Sequence, residues 1–142
     1  MIGHAPPATE LRILLVDDSD ALCRAVRSYL EELPHVRIVG VAADADTAIE
    51  RIRSLQPDVV ILDLRLARSS GLTVLVAAQV LVHPPRILVL TNATDPGLRE
   101  RCLTLGAQRY LDKSTEFDQV LTQVRHWADE LRPPTLRGPP EG

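Results

Sequence analysis

Short apolar segments alternate with stretches of helical periodicity along this chain, and this alternation restricts the possible folds more than any other feature. The apolar segments are Leu11–Val16, Val36–Ala42, Val59–Leu64, Ile87–Thr91 and Arg109–Asp112. Each is followed by apolar residues spaced three and four apart, as on one face of a helix. Five such strand-then-helix units predict a parallel sheet that carries helices on both faces.

The third segment, Val59–Leu64, has apolar residues at consecutive positions. A strand of this kind is buried on both faces, as the central strands of parallel sheets are. The sequence therefore predicts an α/β fold of the flavodoxin-like (βα)5 type, a doubly wound parallel sheet with strand order 2-1-3-4-5.

Capping residues set the bounds of the predicted helices. Ser19 or Asp20 caps the first helix, and Gly106 ends the fourth. The predicted helices are Asp20–Leu33, Ala45–Leu55, Gly71–Val82, Pro96–Leu105 after Asp95, and the segment from Ser114 or Thr115 to Leu131.

One folded domain, residues 11–131, is expected between two loose ends. Residues 1–10 contain Pro6 and Pro7, and residues 132–142 read RPPTLRGPPEG, with four prolines and two glycines. Segments of this composition cannot bury enough apolar surface to pack. We therefore predict a flexible N-terminal arm at 1–10 and a disordered Pro/Gly-rich tail at 132–142.

Charge and composition argue against several classes of protein. The formal net charge of -3, without a clustered basic face, argues against direct nucleic-acid binding. No stretch approaches the about 20 apolar residues of a membrane span, and the first ten residues do not form a signal peptide. Cys23 and Cys102 show no metal-ligand spacing, and two free thiols are typical of a reducing compartment. We expect a cytoplasmic protein that does not bind a membrane.

Polar residues occupy the positions where the predicted strands end. They are Asp17 and Asp18 after the first strand, Asp63 near the end of the third, Thr91 at the end of the fourth and Lys113 after the fifth. Because the carboxyl ends of parallel strands meet at one edge of a sheet, we expect these side chains around one crevice. The aspartates before the first helix, Thr91 and Lys113 each have an ordinary explanation as a cap, a turn or a surface residue. Asp63 within an apolar run is harder to dismiss, because a buried, unpaired carboxylate is costly. The inference depends on the set.

Three carboxylates in one crevice repel each other, by about 1 kcal/mol per pair at about 4 Å in water and by roughly 4 kcal/mol at an effective dielectric of about 20. A divalent cation removes this repulsion, and Mg²⁺ binds one or two carboxylates while leaving coordination for a phosphate oxygen. A lysine ammonium and a threonine hydroxyl can bind further phosphoryl oxygens. The set predicts phosphoryl transfer onto an aspartate, with Mg²⁺ as the cofactor.

Four motifs in these segments resemble those of response regulator receiver domains, which serve two-component signalling. They are ILLVDDSD at Ile13–Asp20, PDVVILDLRLARSSGL at Pro57–Leu72, ILVLTNA at Ile87–Ala93 and GAQRYLDKS at Gly106–Ser114. The resemblance covers about residues 11–131. Within it, residues 36–72 are similar to receivers that are usually joined to a helix-turn-helix DNA-binding domain.

The resemblance implies which residues hold the metal and accept the phosphoryl group. Asp63 would be the phosphoacceptor. Mg²⁺ would be bound by Asp18, Asp63 and the backbone carbonyl of Arg65, with Asp17 acting mainly through water.

The resemblance also implies a binding set and a switch. Thr91, the backbone of Asn92 and Lys113 would bind the phosphoryl group. Tyr110 would turn inward as Thr91 moves, and this movement would alter the surface formed by helix four, strand five and helix five.

By the same resemblance, the chain is a single-domain response regulator. It would take a phosphoryl group from a sensor histidine kinase or a phosphotransfer protein and then contact an unknown downstream protein. Because only a short Pro/Gly-rich stretch follows Leu131, we expect no output domain, no direct DNA binding, and no enzyme activity beyond its own phosphorylation and dephosphorylation. A homodimer through helix four, strand five and helix five stays open.

Three residues depart from the family pattern. Ala67 stands where proline is usual, so the loop after Asp63 is expected to be less rigid. Ser114 also stands where proline is common. A cis peptide before Ser114, which costs about 2.5–4 kcal/mol without proline, is not expected. Asn92 stands where a small residue is usual, and it either crowds the phosphoryl site or offers an extra hydrogen bond.

Two alternative functions stay open. The first is a receiver fold that binds partners independently of phosphorylation. The second is a phosphohydrolase similar to haloacid dehalogenases, because Asp18-Ser19-Asp20 after a strand imitates their Asp-x-Asp motif. Ala21-Leu22 stands where that family has Gly-Thr, which argues against the second alternative.

Overall fold

A computed structural model describes residues 10–131 of the chain. Its main sheet consists of β1 (Leu11–Val16), β2 (Val36–Ala42), β3 (Val59–Leu62), β4 (Arg86–Thr91) and β5 (Arg109–Asp112). The strands lie in the order β2-β1-β3-β4-β5, and every neighbouring pair is parallel. The predicted flavodoxin-like fold and its strand order are confirmed.

Four helices connect the five strands, and a fifth helix follows the last strand. They are α1 (Asp20–Leu30), α2 (Ala45–Leu55), α3 (Gly71–Gln79), α4 (Leu98–Thr104) and α5 (Asp118–Leu131). The bounds of α2 agree with the prediction, and the Ser19 side chain caps α1 by accepting a hydrogen bond from the Leu22 backbone N–H.

The other four helices are shorter than predicted. α1 and α3 end three residues early, at Leu30 and Gln79, and α4 and α5 begin late for local reasons. α4 begins at Leu98 rather than at Pro96 because Gly97 adopts a left-handed conformation with φ 76°. α5 begins at Asp118 because the Asp112 carboxylate accepts the backbone N–H groups of Ser114 and Thr115, which holds these residues in a turn before the helix.

The sheet separates two apolar clusters, and β3 contributes to both. Val60 and Leu62 pack with residues of α2 and α3 on one face, while Val59 and Ile61 pack with residues of α1 and α5 on the other. All four side chains are buried. The prediction that this strand is central and covered on both faces is confirmed, and its carboxyl end therefore lies in the middle of one edge of the sheet.

A small antiparallel ribbon follows β3, formed by Arg65–Leu66 and Ser69–Ser70. The Ser69 hydroxyl accepts the Ala45 backbone N–H at the start of α2, at 2.9 Å. The loop that lacks a proline at Ala67 is thus tied to α2.

None of the helices within residues 10–131 has the length and apolar character needed to cross a bilayer. The predicted tail at 132–142 and all of the predicted arm except Glu10 lie outside the described residues.

Candidate functional site

Asp63 is the first residue after β3, and three neighbours bind its carboxylate. Its backbone N–H continues the ladder to Val16 at 2.9 Å, which fixes its position beside β1. Oδ1 accepts the hydroxyl of Thr91 at 2.8 Å and the backbone N–H of Arg65 at 3.2 Å. Oδ2 lies 2.9 Å from the Lys113 ammonium. The Asp63 side chain is 7% exposed, so these contacts largely replace water.

Asp17 is the second buried carboxylate of the site. It lies at the end of β1, where its Oδ1 accepts the backbone N–H of Ser19 at 2.9 Å. Its Oδ2 lies 2.7 Å from the Lys113 ammonium, so this one cation bridges Asp17 and Asp63. The Lys113 side chain is 13% exposed, and the bridge is therefore mostly shielded from solvent.

Burial and pairing shift two pKa values in the site. Loss of hydration raises the pKa of Asp17 above its ordinary value, although the hydrogen bonds from Lys113 and Ser19 act in the opposite direction. Burial by itself would lower the pKa of Lys113, but the hydrogen bonds to Asp17 and Asp63 outweigh it, and the pKa is raised. We therefore take Lys113 as a firmly charged ammonium beside a carboxylate that is costly to keep ionised.

Asp18 completes a group of three carboxylates. One oxygen each from Asp17, Asp18 and Asp63 lies within 4.8 Å of the others. Asp18 is exposed, so the group opens to solvent on its side. A set made only of carboxylate oxygens is the donor type that Mg²⁺ prefers, and Lys113 neutralises one of the three negative charges. These residues therefore fit a hard divalent cation. Arg65 contacts this group through its backbone N–H, which donates a hydrogen bond to Oδ1 of Asp63.

Thr91 and Tyr110 lie on the β5 side of Asp63. Thr91 is buried, and its hydroxyl oxygen also accepts the Ala93 backbone N–H at 3.2 Å. The Tyr110 ring is 9% exposed and packs inward, with its hydroxyl 3.4 Å from the Ala93 carbonyl oxygen. The Arg99 guanidinium lies 5.8 Å from the ring centroid. Tyr110 thus contacts the same short segment that carries Thr91.

Sequence reasoning missed residues that support the site without reacting in it. A Cβ on Gly71 would collide with the carbonyl oxygen of Asp63 and lie 2.8 Å from the Cα of Leu64, so α3 can begin there only with glycine. Ser69 holds the ribbon to α2. A glycine at a predicted helix start could have indicated close backbone packing, whereas the partner of Ser69 depends on the tertiary fold.

Asn92 and Ser114 were singled out from the sequence as separate departures, and the structure brings them together. The Ser114 hydroxyl donates a hydrogen bond to Oδ1 of Asn92 at 3.0 Å. Both side chains are exposed at the rim of the site. No peptide bond among the described residues is cis, so the Lys113–Ser114 peptide is trans, as expected.

A five-stranded parallel sheet with this acidic group and a bridging lysine at its carboxyl edge defines the class of receiver domains. Residues 13–125 match the response regulator receiver domain family. The chain belongs to that family, and the resemblance stated from its motifs is confirmed.

Solved receiver domains have the same architecture. The signal receiver domain of NarL from Mycobacterium tuberculosis is 28% identical, with a TM-score of 0.76 over 84% of this chain and 96% of that one. The response regulator domain of CheB from Thermotoga maritima is 25% identical, with a TM-score of 0.73 over 86% of this chain and 96% of that one.

Curated relatives correct one expectation. Protein-glutamate methylesterase/protein-glutamine glutaminase 1 of Methanospirillum hungatei is 35% identical over 86% of this chain, and a Geobacter sulfurreducens protein of the same type, numbered 3, is 32% identical over 80%. The chain spans about a third of their length, 35% and 31%. These relatives are named as enzymes, so the expectation of a non-enzyme is wrong by this comparison. That expectation was based on the receiver motifs and on the short stretch after Leu131, and neither bears on the activity of longer relatives.

Proposed function

We propose that this chain is a phosphorylation-dependent receiver in which Asp63 accepts the phosphoryl group. The observation that carries the proposal is the pair of contacts on the Asp63 carboxylate. The Thr91 hydroxyl binds one oxygen at 2.8 Å and the Lys113 ammonium binds the other at 2.9 Å. A hydroxyl donor and a cation so placed can pass from the carboxylate to phosphoryl oxygens that arrive there. Residues 11–131 would act as one receiver unit.

The proposed step moves the phosphoryl group from a nitrogen–phosphorus or oxygen–phosphorus bond of the donor to a new oxygen–phosphorus bond on Asp63. One oxygen of the Asp63 carboxylate attacks the phosphorus, the bond from phosphorus to the donor breaks, and the donor leaves with that electron pair. Thr91, the backbone N–H of Asn92 and Lys113 would then bind the phosphoryl oxygens. Asp63 is suited to this role because the neighbouring groups hold it in one orientation before the donor arrives.

Mg²⁺ fits the acidic group as the cofactor of this step. Asp17, Asp18, Asp63 and the backbone carbonyl of Arg65 would hold it, with Asp17 acting mainly through water. When bound, it supplies positive charge to the oxygens of the transferring group. The raised pKa of Asp17 supports this assignment, because a carboxylate that burial disfavours is stabilised by an added cation.

The output would be a change in the surface formed by α4, β5 and α5. A phosphoryl group on Asp63 adds charge and acceptor oxygens, which favours one arrangement of Thr91 and, through Ala93, of Tyr110. A sensor histidine kinase or a phosphotransfer protein would be the donor. A downstream protein, or a second copy of the chain, would bind the altered surface.

The test is a phosphoryl mass measurement with matched variants. The chain is incubated with acetyl phosphate and Mg²⁺, and its intact mass is recorded. We expect a gain of one phosphoryl group in the unmodified chain and in Asp58→Asn, and no gain in Asp63→Asn. Asp58 is a suitable control because it flanks the same strand at its other end and binds the Arg12 backbone N–H, which an amide oxygen can also accept.

Two results would contradict the proposal. One is an unchanged mass under conditions that label a known receiver. The other is labelling that persists in Asp63→Asn and disappears in Asp18→Asn, which would place the acceptor where the dehalogenase-like alternative requires it.

A further inference from the structure

Asn92 and Ser114 directly follow the two residues whose side chains bind Asp63. Asn92 comes after Thr91, and Ser114 comes after Lys113. Their side chains are joined by the hydrogen bond from the Ser114 hydroxyl to Oδ1 of Asn92, at 3.0 Å. The bond therefore links the two loops that carry the phosphoryl-binding groups of the proposed function.

The register of the sheet brings these two residues together. Thr91 pairs with Asp112 at the end of the β4–β5 ladder, and the Lys113 backbone N–H donates to the Thr91 carbonyl oxygen at 3.0 Å. The bond between Asn92 and Ser114 lies one step further, where the backbone ladder has ended. It extends the connection between the two strands into the loops by side chains.

Ser114 is also fixed from its own side of the site. The Asp112 carboxylate accepts its backbone N–H at 2.7 Å. The Asp112 backbone N–H in turn donates to Oε1 of Glu116 at 3.0 Å. The Ser114 hydroxyl is thus presented by a turn that is already hydrogen-bonded, which lowers the entropy lost when it binds Asn92.

We propose that Asn92 and Ser114 form a latch over the rim of the site and that this latch prolongs the lifetime of the aspartyl phosphate. The proposal rests on the proposed function of Asp63. Both residues are positioning residues: the latch holds the Thr91 and Lys113 loops at one separation, and its two side chains are exposed beside the site.

The reaction that the latch slows is hydrolysis of the acyl phosphate. A water oxygen attacks the phosphorus, and the bond between phosphorus and the Asp63 oxygen breaks. The electron pair returns to Asp63 as a carboxylate, and inorganic phosphate leaves with the water oxygen and its protons. Attack from outside requires water to pass the rim and the loops to accommodate it, and both become easier when the latch is absent.

A double-mutant cycle on the full chain tests the latch. The unmodified chain, Asn92→Ala, Ser114→Ala and the double variant are labelled with acetyl phosphate and Mg²⁺. The donor is then removed, and loss of the phosphoryl mass is followed over time. We expect each single variant to shorten the lifetime about 2- to 10-fold, the factor that corresponds to one net hydrogen bond, and the double variant to match the singles.

Two further variants distinguish a positioning role of the Ser114 hydroxyl from a general loss of stability. Ser114→Thr keeps the hydroxyl and should keep the lifetime, and Thr115→Ala, one residue outside the latch, should also leave it unchanged. All variants should melt within about 1 °C of the unmodified chain, because an exposed hydrogen bond contributes little to stability. A lower melting temperature that tracked the lifetime would overturn the latch in favour of a structural defect.

The outcomes distinguish the latch from the proposed function. Unchanged lifetimes, or single effects that add fully in the double variant, overturn the latch and leave phosphorylation of Asp63 standing. An unmodified chain that takes up no phosphoryl group overturns both.

Discussion

The amino and carboxyl edges of the central sheet differ in how their charged side chains are paired. At the amino edge, Asp58 accepts the Arg12 backbone N–H at 2.8 Å, and Arg86 pairs with Glu130 at 2.7 Å and lies 5.4 Å from the Trp127 ring centroid. At the carboxyl edge, the ammonium of Lys113 pairs with Asp17 and Asp63, and Asp18 adds a third carboxylate. A cavity of about 640 Å³ opens at the amino edge, whereas the reacting groups we propose lie at the other edge.

From this difference we infer that uncompensated charge, rather than open volume, marks the edge where the proposed chemistry takes place. The amino edge offers space, and there Arg86 and Glu130 pair with each other. At the carboxyl edge, burial disfavours the ionised form of Asp17, and Lys113 neutralises only one of the three negative charges in the group. A divalent cation would offset that imbalance, whereas a phosphoryl group would add negative charge and would depend on the cation and on Lys113 for compensation.

Removal of the bridging lysine should produce the largest difference between the two edges. Lys113→Ala leaves two buried carboxylates without their partner, and we expect a loss of about 3–5 kcal/mol in the free energy of unfolding in Mg²⁺-free buffer. Arg86→Ala breaks a half-exposed pair and should cost about 1 kcal/mol or less. Urea denaturation of both variants at pH 7 measures the contrast, and Mg²⁺ should recover part of the first loss. Equal losses of unfolding free energy in the two variants would contradict an excess of negative charge at the carboxyl edge.

Because the pKa of Asp17 is raised, we expect a substitution at Asp17 to stabilise the protein, whereas Lys113→Ala destabilises it. The folded chain holds this proton more tightly than the unfolded chain, so stability from this group is present below its ordinary pKa of 3.8 and falls as pH rises through the folded value. At pH 7 the ionised carboxylate is therefore a cost. Asp17→Asn should raise the melting temperature by about 2–4 °C, roughly 1 kcal/mol, in Mg²⁺-free buffer.

The same variant should lose most of the stabilisation by Mg²⁺, because its amide brings no charge to the ion. Asp58→Asn, at the amino edge, should respond to Mg²⁺ as the unmodified chain does. Calorimetric scans with and without Mg²⁺ at pH 7 compare the three proteins. A lower melting temperature for Asp17→Asn without Mg²⁺ would show that the carboxyl edge has no excess of negative charge.

The smallest effect is expected at Tyr110. Tyr110→Phe removes only the hydroxyl that donates to the Ala93 carbonyl oxygen over 3.4 Å, and it should cost no more than about 1 kcal/mol. Tyr29→Phe, on an exposed ring of α1, is the matched control and should leave the unfolding free energy unchanged. If Tyr110→Phe cost several kcal/mol, the hydroxyl would have a larger role than its contact suggests.

The sequence was sufficient for the parts of this molecule that depend on local pattern. Consecutive apolar residues in β3 predicted a strand covered on both faces, and the position of Asp63 at its end placed this residue at the carboxyl edge. Parallel topology alone then predicted that Asp17, Thr91 and Lys113 would lie nearby. Their contacts with one another follow from the strand order, which the repeating units had indicated.

The parts that could not be predicted depend on backbone conformation or on register. The left-handed Gly97 delays α4 by two residues, and no periodicity reveals it. The bond between Asn92 and Ser114 joins residues 22 apart, and it requires the exact pairing of β4 with β5. Enzyme activity in relatives was missed because it belongs to proteins about three times as long.

Mapping of the modified residue tests the central claim most directly. The chain is treated with acetyl phosphate and Mg²⁺, the acyl phosphate is reduced with borohydride to the alcohol, and peptides are sequenced by mass spectrometry. Our account predicts homoserine at position 63 and an unmodified aspartate at positions 17, 18 and 58. Modification at position 18 or 58, with position 63 intact, would contradict it.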